Sequence, residues 1–367
     1  MENGHSSRLI PVLLILVGII AAAAALKAAS TVVLPLAFAV LASFALEPVI
    51  EFMHRRLKFP WTLAILVVIV ICFVVITFLV SLLASSLRTI FAVYPRYEAR
   101  FTIIYSAIAG VFKLPFDADI SLFGNLWSHI SVRSFVQTAA FSLSNWLVDF
   151  SKNLLLVMLL IIFFLIEFRS FRKKIIFAVS RPKRKQVMGI INDVTRQVTE
   201  YLSIKFFISL ATGVLVFLGC LIAGLDFAIL WGFLAFIANF IPNFGSIVSG
   251  ILTTLFSLLQ FWPHPGPVAA VGAVMLGVNM ILGNVVEPRI QGNNLGLSPF
   301  FILASLSVWG WIWGFAGMIL AVPMMVILKI VCENVSFLRP LSILMGSASS
   351  ARRDGRKKET KNERPSA

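Results

Sequence analysis

The residues best equipped for chemistry in this chain lie in one polar stretch. Residues 283–299 read Gly-Asn-Val-Val-Glu-Pro-Arg-Ile-Gln-Gly-Asn-Asn-Leu-Gly-Leu-Ser-Pro, between long apolar runs at 268–282 and 300–331. Glu287 can accept a proton or pair with a cation, and Arg289 two residues on can serve as its counter-charge. Pro288 has no backbone N–H and disfavours helical geometry at Glu287. Backbone groups freed there can coordinate an ion or a polar solute. Asn284, Gly292, Gly296 and Pro299 belong to the same stretch. The plainer reading is a membrane-edge loop with a solvated ion pair. A second break reads Asn239-Phe240-Ile241-Pro242-Asn243-Phe244-Gly245. Pro242 and Gly245 unwind a helix, and Asn239 and Asn243 offer amide donors and acceptors. A tight turn joining two spans explains the same residues.

Asp226 and Glu47 stand near the ends of apolar runs. A cation transporter needs such carboxylates, so both are candidates for an ion site; an interfacial cap in contact with water is the plainer account. The cysteines (Cys72, Cys220, Cys332) and histidines (His5, His54, His129, His264) are scattered. They have neither Cys-x-x-Cys nor metal-ligand spacing, so no metal is expected. The chain carries no nucleophile elbow, zinc motif or phosphate-binding loop. No enzymatic activity and no cofactor are expected, and nothing points to ATP-driven pumping.

The elements that hold these residues are set by composition. The chain of 367 residues is 59% hydrophobic and 13% charged, with a mean hydropathy of +0.96. A soluble domain is nearer about a quarter charged. Several runs approach or exceed the roughly 18–20 apolar residues that cross a bilayer as a helix. The expected fold is all-α, a polytopic helical membrane bundle with broken or re-entrant helices in its C-terminal half. The net charge of +15 is concentrated in two loops and a tail. That fits the positive-inside rule and argues against nucleic acid as a partner; membrane lipid is the expected one.

Spans are expected over about 9–26 and 31–50, joined by a short turn at Lys27–Ser30. The first resembles a secretory signal, but a second span follows at once, so an uncleaved helix is expected. A third runs from Pro60 to about 87, completing a first region at 1–87. Residues 88–150 mix charges with aromatics and form an external amphipathic or loop region. The transmembrane core, 151–345, begins with a span at 150–168 and the basic stretch Arg169–Lys185. Val187, Ile191, Val194, Val198 and Leu202 then recur at steps of four, three, four and four, marking one face of a cytoplasmic amphipathic helix at 181–203. Spans at 206–224, 227–241, 246–261, 268–286 and 300–331 follow, then a basic, disordered cytoplasmic tail at 346–367. With the basic loops inside, this count is odd and leaves the basic tail outside. One late run must therefore be re-entrant or fold into a hairpin. The candidates are 227–261, broken at Pro242, and 300–331, broken near Gly310–Gly314. The Gly310, Gly314, Gly317 spacing suits close helix packing, and Trp309, Trp311 and Trp313 suit interface anchoring or packing against neighbours.

Gly283-Asn284-Val285-Val286-Glu287-Pro288-Arg289-Ile290, with Gly292 and Leu295-Gly296-Leu297-Ser298-Pro299, resembles the signature of the autoinducer-2 exporter family of permeases. Phe240-Ile241-Pro242-Asn243-Phe244-Gly245 is similar to its second landmark. The Trp309–Pro323 run and Tyr201-Leu202 fit as well. The resemblance implies about eight membrane helices, both termini cytoplasmic, a bacterial inner-membrane location and a homo-oligomer, with a pentamer as the implied form. It also implies export of a small polar solute, with the quorum-sensing signal autoinducer-2 as the leading cargo. The path would be lined or gated by Glu287, Pro288, Arg289, Asn284, Asn239, Pro242, Asn243, Gly245, Gly292, Gly296 and Pro299. A sodium/proton antiporter using Glu287 or Asp226 is the alternative within the same family, and a non-transporting membrane scaffold is a third reading.

Overall fold

An apolar run in a bilayer must satisfy its own backbone, and the α-helix does so locally. The structure, a computed structural model, describes residues 3–111, 132–291, 296–335 and 337–346. Among these the elements are helices: α1 (Asn3–Ala28), α2 (Ser30–Arg56), α3 (Trp61–Val111), α4 (Val132–Ala178), α5 (Arg181–Ile222), α6 (Ala228–Ala238), α7 (Phe244–Phe261), α8 (Pro265–Val278), a π-helical segment (Asn279–Val286), α9 (Glu287–Gln291), α10 (Pro299–Asn334) and α11 (Arg339–Met345). No strand occurs among the described residues; a lone antiparallel bridge joins Leu297 to Gly346. Six helices among the described residues are long and apolar enough to cross a membrane, and Val17–Ala28 and Ala228–Ala238 are shorter apolar helices. The fold is the expected all-α membrane bundle. Gly292 and the tail beyond residue 346 lie outside the described residues, as does part of the 88–150 region. The rest of that region is helical, in α3 to Val111 and in α4 from Val132.

The chain forms two compact units, one from Met1–Val68, Leu156–Ser203 and Gln291–Ala367, the other from Ile69–Leu155 and Ile204–Ile290. The core of the first unit packs Leu41, Phe44, Val198, Tyr201, Ile312, Trp313, Leu320 and Val326 together. Its central feature is a reversal inside α10. Gly314 has φ +62° and ψ −143°, a conformation that only glycine adopts without strain. The chain folds back about it: Ser305 Oγ donates to the Ala321 carbonyl at 2.8 Å, sixteen residues on, where a straight helix would separate them by about 24 Å. The 300–331 run is therefore a helical hairpin.

The junction of α1 and α2 differs from expectation. Only Ala29 separates them, with φ −87° and ψ 13°. Ala29 N donates to Ala25 O, and Val33 N donates to Ala29 O. Lys27–Ser30 contains no glycine or proline and two good helix formers in Ala28 and Ala29, so the expected turn is a one-residue kink. Trp313 Nε1 donates to the Leu26 carbonyl at 3.1 Å, in the last turn of α1, where helix carbonyls lack intrahelical partners. Lys27 Nζ lies 4.5 Å from the Trp311 ring centroid, and the Trp309 and Trp313 rings are 4.9 Å apart. Trp309 and Trp313 thus pack against each other, while Trp311 is exposed.

In the second unit the expected break at Pro242 is a turn between α6 and α7. Trp231 and Phe256 sit with ring centroids 5.0 Å apart, so the helices run back along each other. Asn243 takes φ +63° and ψ −44°, a backbone conformation that L side chains rarely adopt. A Cβ on Gly245 would lie 1.6 Å from the Ala238 carbonyl oxygen, so no larger residue closes this turn. α8 returns along α7, with Asn279 Nδ2 donating to the Ser246 carbonyl at 3.3 Å.

Two local expectations are corrected here. Residues 203–206 carry no break: the amphipathic face and the following span are one helix, α5, of 42 residues. Glu287 is helical, at φ −57° and ψ −51°. The π-helical segment ahead of it widens the turn, which eases the clash between a proline ring and the preceding turn's carbonyl. The helix thus passes through Pro288 without unwinding.

Candidate functional site

The second unit brings together residues from both polar breaks. Lys205 and Ser209, one turn apart on α5, are both buried. Lys205 Nζ donates to Glu287 Oε1 at 2.6 Å; the two side chains are 2% and 15% exposed. One turn on, Asn239 Nδ2 donates to Ser209 Oγ at 3.0 Å, and Asn239 is itself buried. α5 thus links the end of the π-helical segment to the α6–α7 turn. α5 can approach its neighbours because both contacts use glycine. A Cβ on Gly213 would meet the Gly232 carbonyl at 2.9 Å, and one on Gly219 would meet Val274 at 2.4 Å.

Burial of a charge is tolerable only when it is paired and hydrogen-bonded. Lys205 and Glu287 satisfy each other, and removing one partner of such a pair costs about 3–5 kcal/mol. The same unit buries further polar side chains. Thr212, Ser249, Thr253, Ser257 and Gln260 are all buried. The last four recur along one face of α7, at steps of four, four and three. The hydroxyls of Thr212 and Thr253 donate to backbone carbonyls four residues earlier. Their oxygens keep capacity to accept.

The family model for the AI-2E family transporter matches residues 10–337. The chain belongs to the AI-2E family of transporters. It is 31% identical over 344 residues to YhhT of Escherichia coli (strain K12), named there as a candidate transport protein, covering 91% of this chain and 94% of that one. It is 30% identical over 326 residues to a candidate transport protein of Borreliella burgdorferi, covering 88% and 87%. It is 28% identical over 322 residues to the AI-2 transport protein TqsA of Escherichia coli (strain K12), covering 87% and 91%. Transporters, not enzymes, are what this AI-2E chain resembles along almost its whole length.

The remaining candidate residues of this AI-2E protein take varied positions. Arg289, Asn284 and Pro288 are exposed, and the partner of Glu287 is Lys205 where Arg289 was the expected counter-charge. Pro242 is half-buried and Asn243 exposed. In the first unit Gly296 has φ +53°, and its carbonyl accepts from Lys329 Nζ at 3.2 Å. Pro299 opens α10 after Ser298, whose N–H donates to the Met345 carbonyl at 2.9 Å. Glu47 lines a cavity of about 130 Å³ with Ser43, Phe44, Glu51, Trp61, Phe164 and Phe168. Arg55 holds Glu51 at 2.6 Å.

Asp226 belongs to a separate network. It accepts from the Tyr97 hydroxyl. Its own N–H donates to Gln260 Oε1 at 2.7 Å, and its carbonyl accepts from Trp231 Nε1 at 3.1 Å. Burial first, then the Asp226 carboxylate, holds the Tyr97 hydroxyl well above the usual phenol range. Asp226 follows the far end of α5, whose course from Lys205 to Ile222 spans about 25 Å. Asp226 and Glu287 therefore do not share a site.

Sequence reading missed Lys205 and Ser209, although the signal was present. The apolar face of α5 counted as far as Val198 and Leu202 continues by steps of three and four to residues 205 and 209. Lys205 falls in the gap between the expected surface helix at 181–203 and the expected span at 206–224.

Proposed function

We propose that this AI-2E transporter exports a small, uncharged polar solute across the bacterial inner membrane by secondary transport, with autoinducer-2 as the first cargo to test. The observation that carries this reading is the buried Lys205–Glu287 pair one turn from the Asn239–Ser209 hydrogen bond. The charges cancel, and the neighbouring groups are hydroxyls and amides. Such a surface favours a cargo recognised by hydrogen bonds over one recognised by charge. The name of TqsA, an AI-2 transport protein, supports the choice of cargo. The working form in this proposal is a homo-oligomer, with a pentamer implied by the family resemblance.

The test is efflux from vesicles holding the purified protein, with autoinducer-2 and Na⁺/H⁺ exchange measured side by side. Autoinducer-2 efflux that falls in Glu287→Gln at equal protein level is the expected result. Sodium-dependent proton flux without autoinducer-2 movement would establish the antiporter instead. The separation of Asp226 from Glu287 and the neutralisation of Glu287 by Lys205 weigh against that second reading.

A further inference from the structure

Lys205 is the largest of the fully buried side chains among the described residues. A lysine is rarely so buried unless paired, and in a membrane protein an ionisable residue inside a helix bundle is a functional candidate by default. Its location is set by structure on three sides. Lys205 lies on the long helix α5. Its ammonium meets Glu287 at the exit of the π-helical segment, and π-helical turns recur at functional sites. The next turn of α5 holds Asn239 through Ser209.

We propose that Lys205 determines the charge selectivity of this transporter: by cancelling Glu287 it keeps the polar seam electrically neutral and so admits uncharged polar solutes while excluding small ions. The proposal rests on the transport reading above and adds the class of cargo that the site accepts. The physical basis is the size of charge interactions away from water. Two unit charges about 4 Å apart interact several-fold more strongly near protein than in bulk water. One uncompensated carboxylate at this point would attract cations into the seam, and one uncompensated ammonium would attract anions. With both present a small ion of either sign gains nothing for the hydration it loses. A solute with hydroxyl or carbonyl groups exchanges its water for Ser209 and Asn239. Arg289, the basic residue nearest to Glu287 in sequence, is exposed.

The experiment inverts the charges one at a time in the full chain reconstituted into liposomes. The probes are autoinducer-2 and xylitol as uncharged solutes, with Na⁺ and Cl⁻ as ions. The wild-type protein is expected to move at least one uncharged probe and neither ion above the lipid background. Lys205→Glu replaces the ammonium beside Glu287 by a second carboxylate; Na⁺ flux should rise about tenfold or more. Glu287→Lys should raise Cl⁻ flux similarly. The exchanged pair, Lys205→Glu with Glu287→Lys, should return both ion fluxes to background. If a single reversal does not yield a monodisperse protein, Lys205→Gln and Glu287→Gln carry the same test with the same signs. Wild-type ion fluxes in the single variants, at equal protein level, would overturn the proposal while leaving the transport reading intact. So would ion leaks of the same size in the exchanged pair. A wild-type protein that moves Na⁺ overturns it as well. Absence of all solute flux in the wild type would remove the transport reading itself, and with it this proposal.

Discussion

The chain reverses direction inside an apolar run in each of its two units, and the two reversals are lined differently. In the first unit α10 turns at Gly314, and its halves bury Leu306, Ile312, Leu320, Val322 and Val326. The Ser305 hydroxyl, bonded to the Ala321 carbonyl, is a polar contact across this hairpin. In the second unit α6 and α7 turn at Asn239–Asn243 and bury Asn239, Ser249, Thr253, Ser257 and Gln260. Both turns use the same device, a residue at positive φ and a glycine pressed on backbone. A broken helix is thus a packing solution available to any membrane protein. What separates the second reversal is buried polarity beyond what closing the turn demands, together with a buried ion pair on the helix beside it.

The largest expected effects test what the two turns share. A Cβ on Gly245 would meet backbone at 1.6 Å, and one on Gly317 would meet the Trp309 carbonyl oxygen at 1.9 Å. Neither contact can be relieved by rotating a side chain. Gly245→Ala and Gly317→Ala should each destabilise the protein by about 4 kcal/mol or more, read as loss of the monodisperse species in detergent. Normal thermal stability in either variant would mean that its turn is not closed as described.

The next effect separates the two units. Lys205→Met leaves Glu287 buried without its counter-charge and should cost about 3–5 kcal/mol, together with loss of solute flux. Replacing both members by apolar residues, Lys205→Met with Glu287→Leu, should recover most of that stability, because a buried pair is often dispensable for folding. Flux should stay lost. Recovery of flux in the double variant would reduce the pair to a structural element, no different in kind from the Gly314 hairpin.

How much of this was legible in the sequence differs between fold and site. Helices follow from apolar runs and lengths, and both reversals were marked by Pro242, Gly245 and the Gly310–Gly314 region. The kink at Ala29 was not legible, because short spacing between two apolar runs looks the same whether the chain turns or continues. At the site, Glu287 and Asn239 stood out as polar residues in apolar surroundings. Their partners did not. Lys205 lies 82 residues from Glu287, and a lysine beside a basic amphipathic segment looks like a solvated one. The proline rule also failed locally: Pro288 predicted an unwound Glu287, but the π-helical segment accommodates the ring. That adjustment depends on which neighbours pack against the helix and has no one-residue signature.

The smallest effects give the sharpest comparison, because their energies match and their consequences should not. Ser305→Ala removes the hydroxyl that joins the halves of the α10 hairpin, and Asn239→Ala removes the amide that joins the α6–α7 turn to Ser209. Each deletes a buried hydrogen bond, at 2.8 Å and 3.0 Å, and each should cost about 1 kcal/mol of stability. The groups left behind differ. In the first case it is a main-chain carbonyl within an apolar core. In the second it is the Ser209 hydroxyl, one turn from the Lys205–Glu287 pair and able to rotate towards it. Flux of an uncharged solute in vesicles should be unchanged in Ser305→Ala and reduced several-fold in Asn239→Ala at equal protein level. Equal losses in both would mean that flux follows hairpin stability in general. The polar lining of the second reversal would then have to be explained by packing alone.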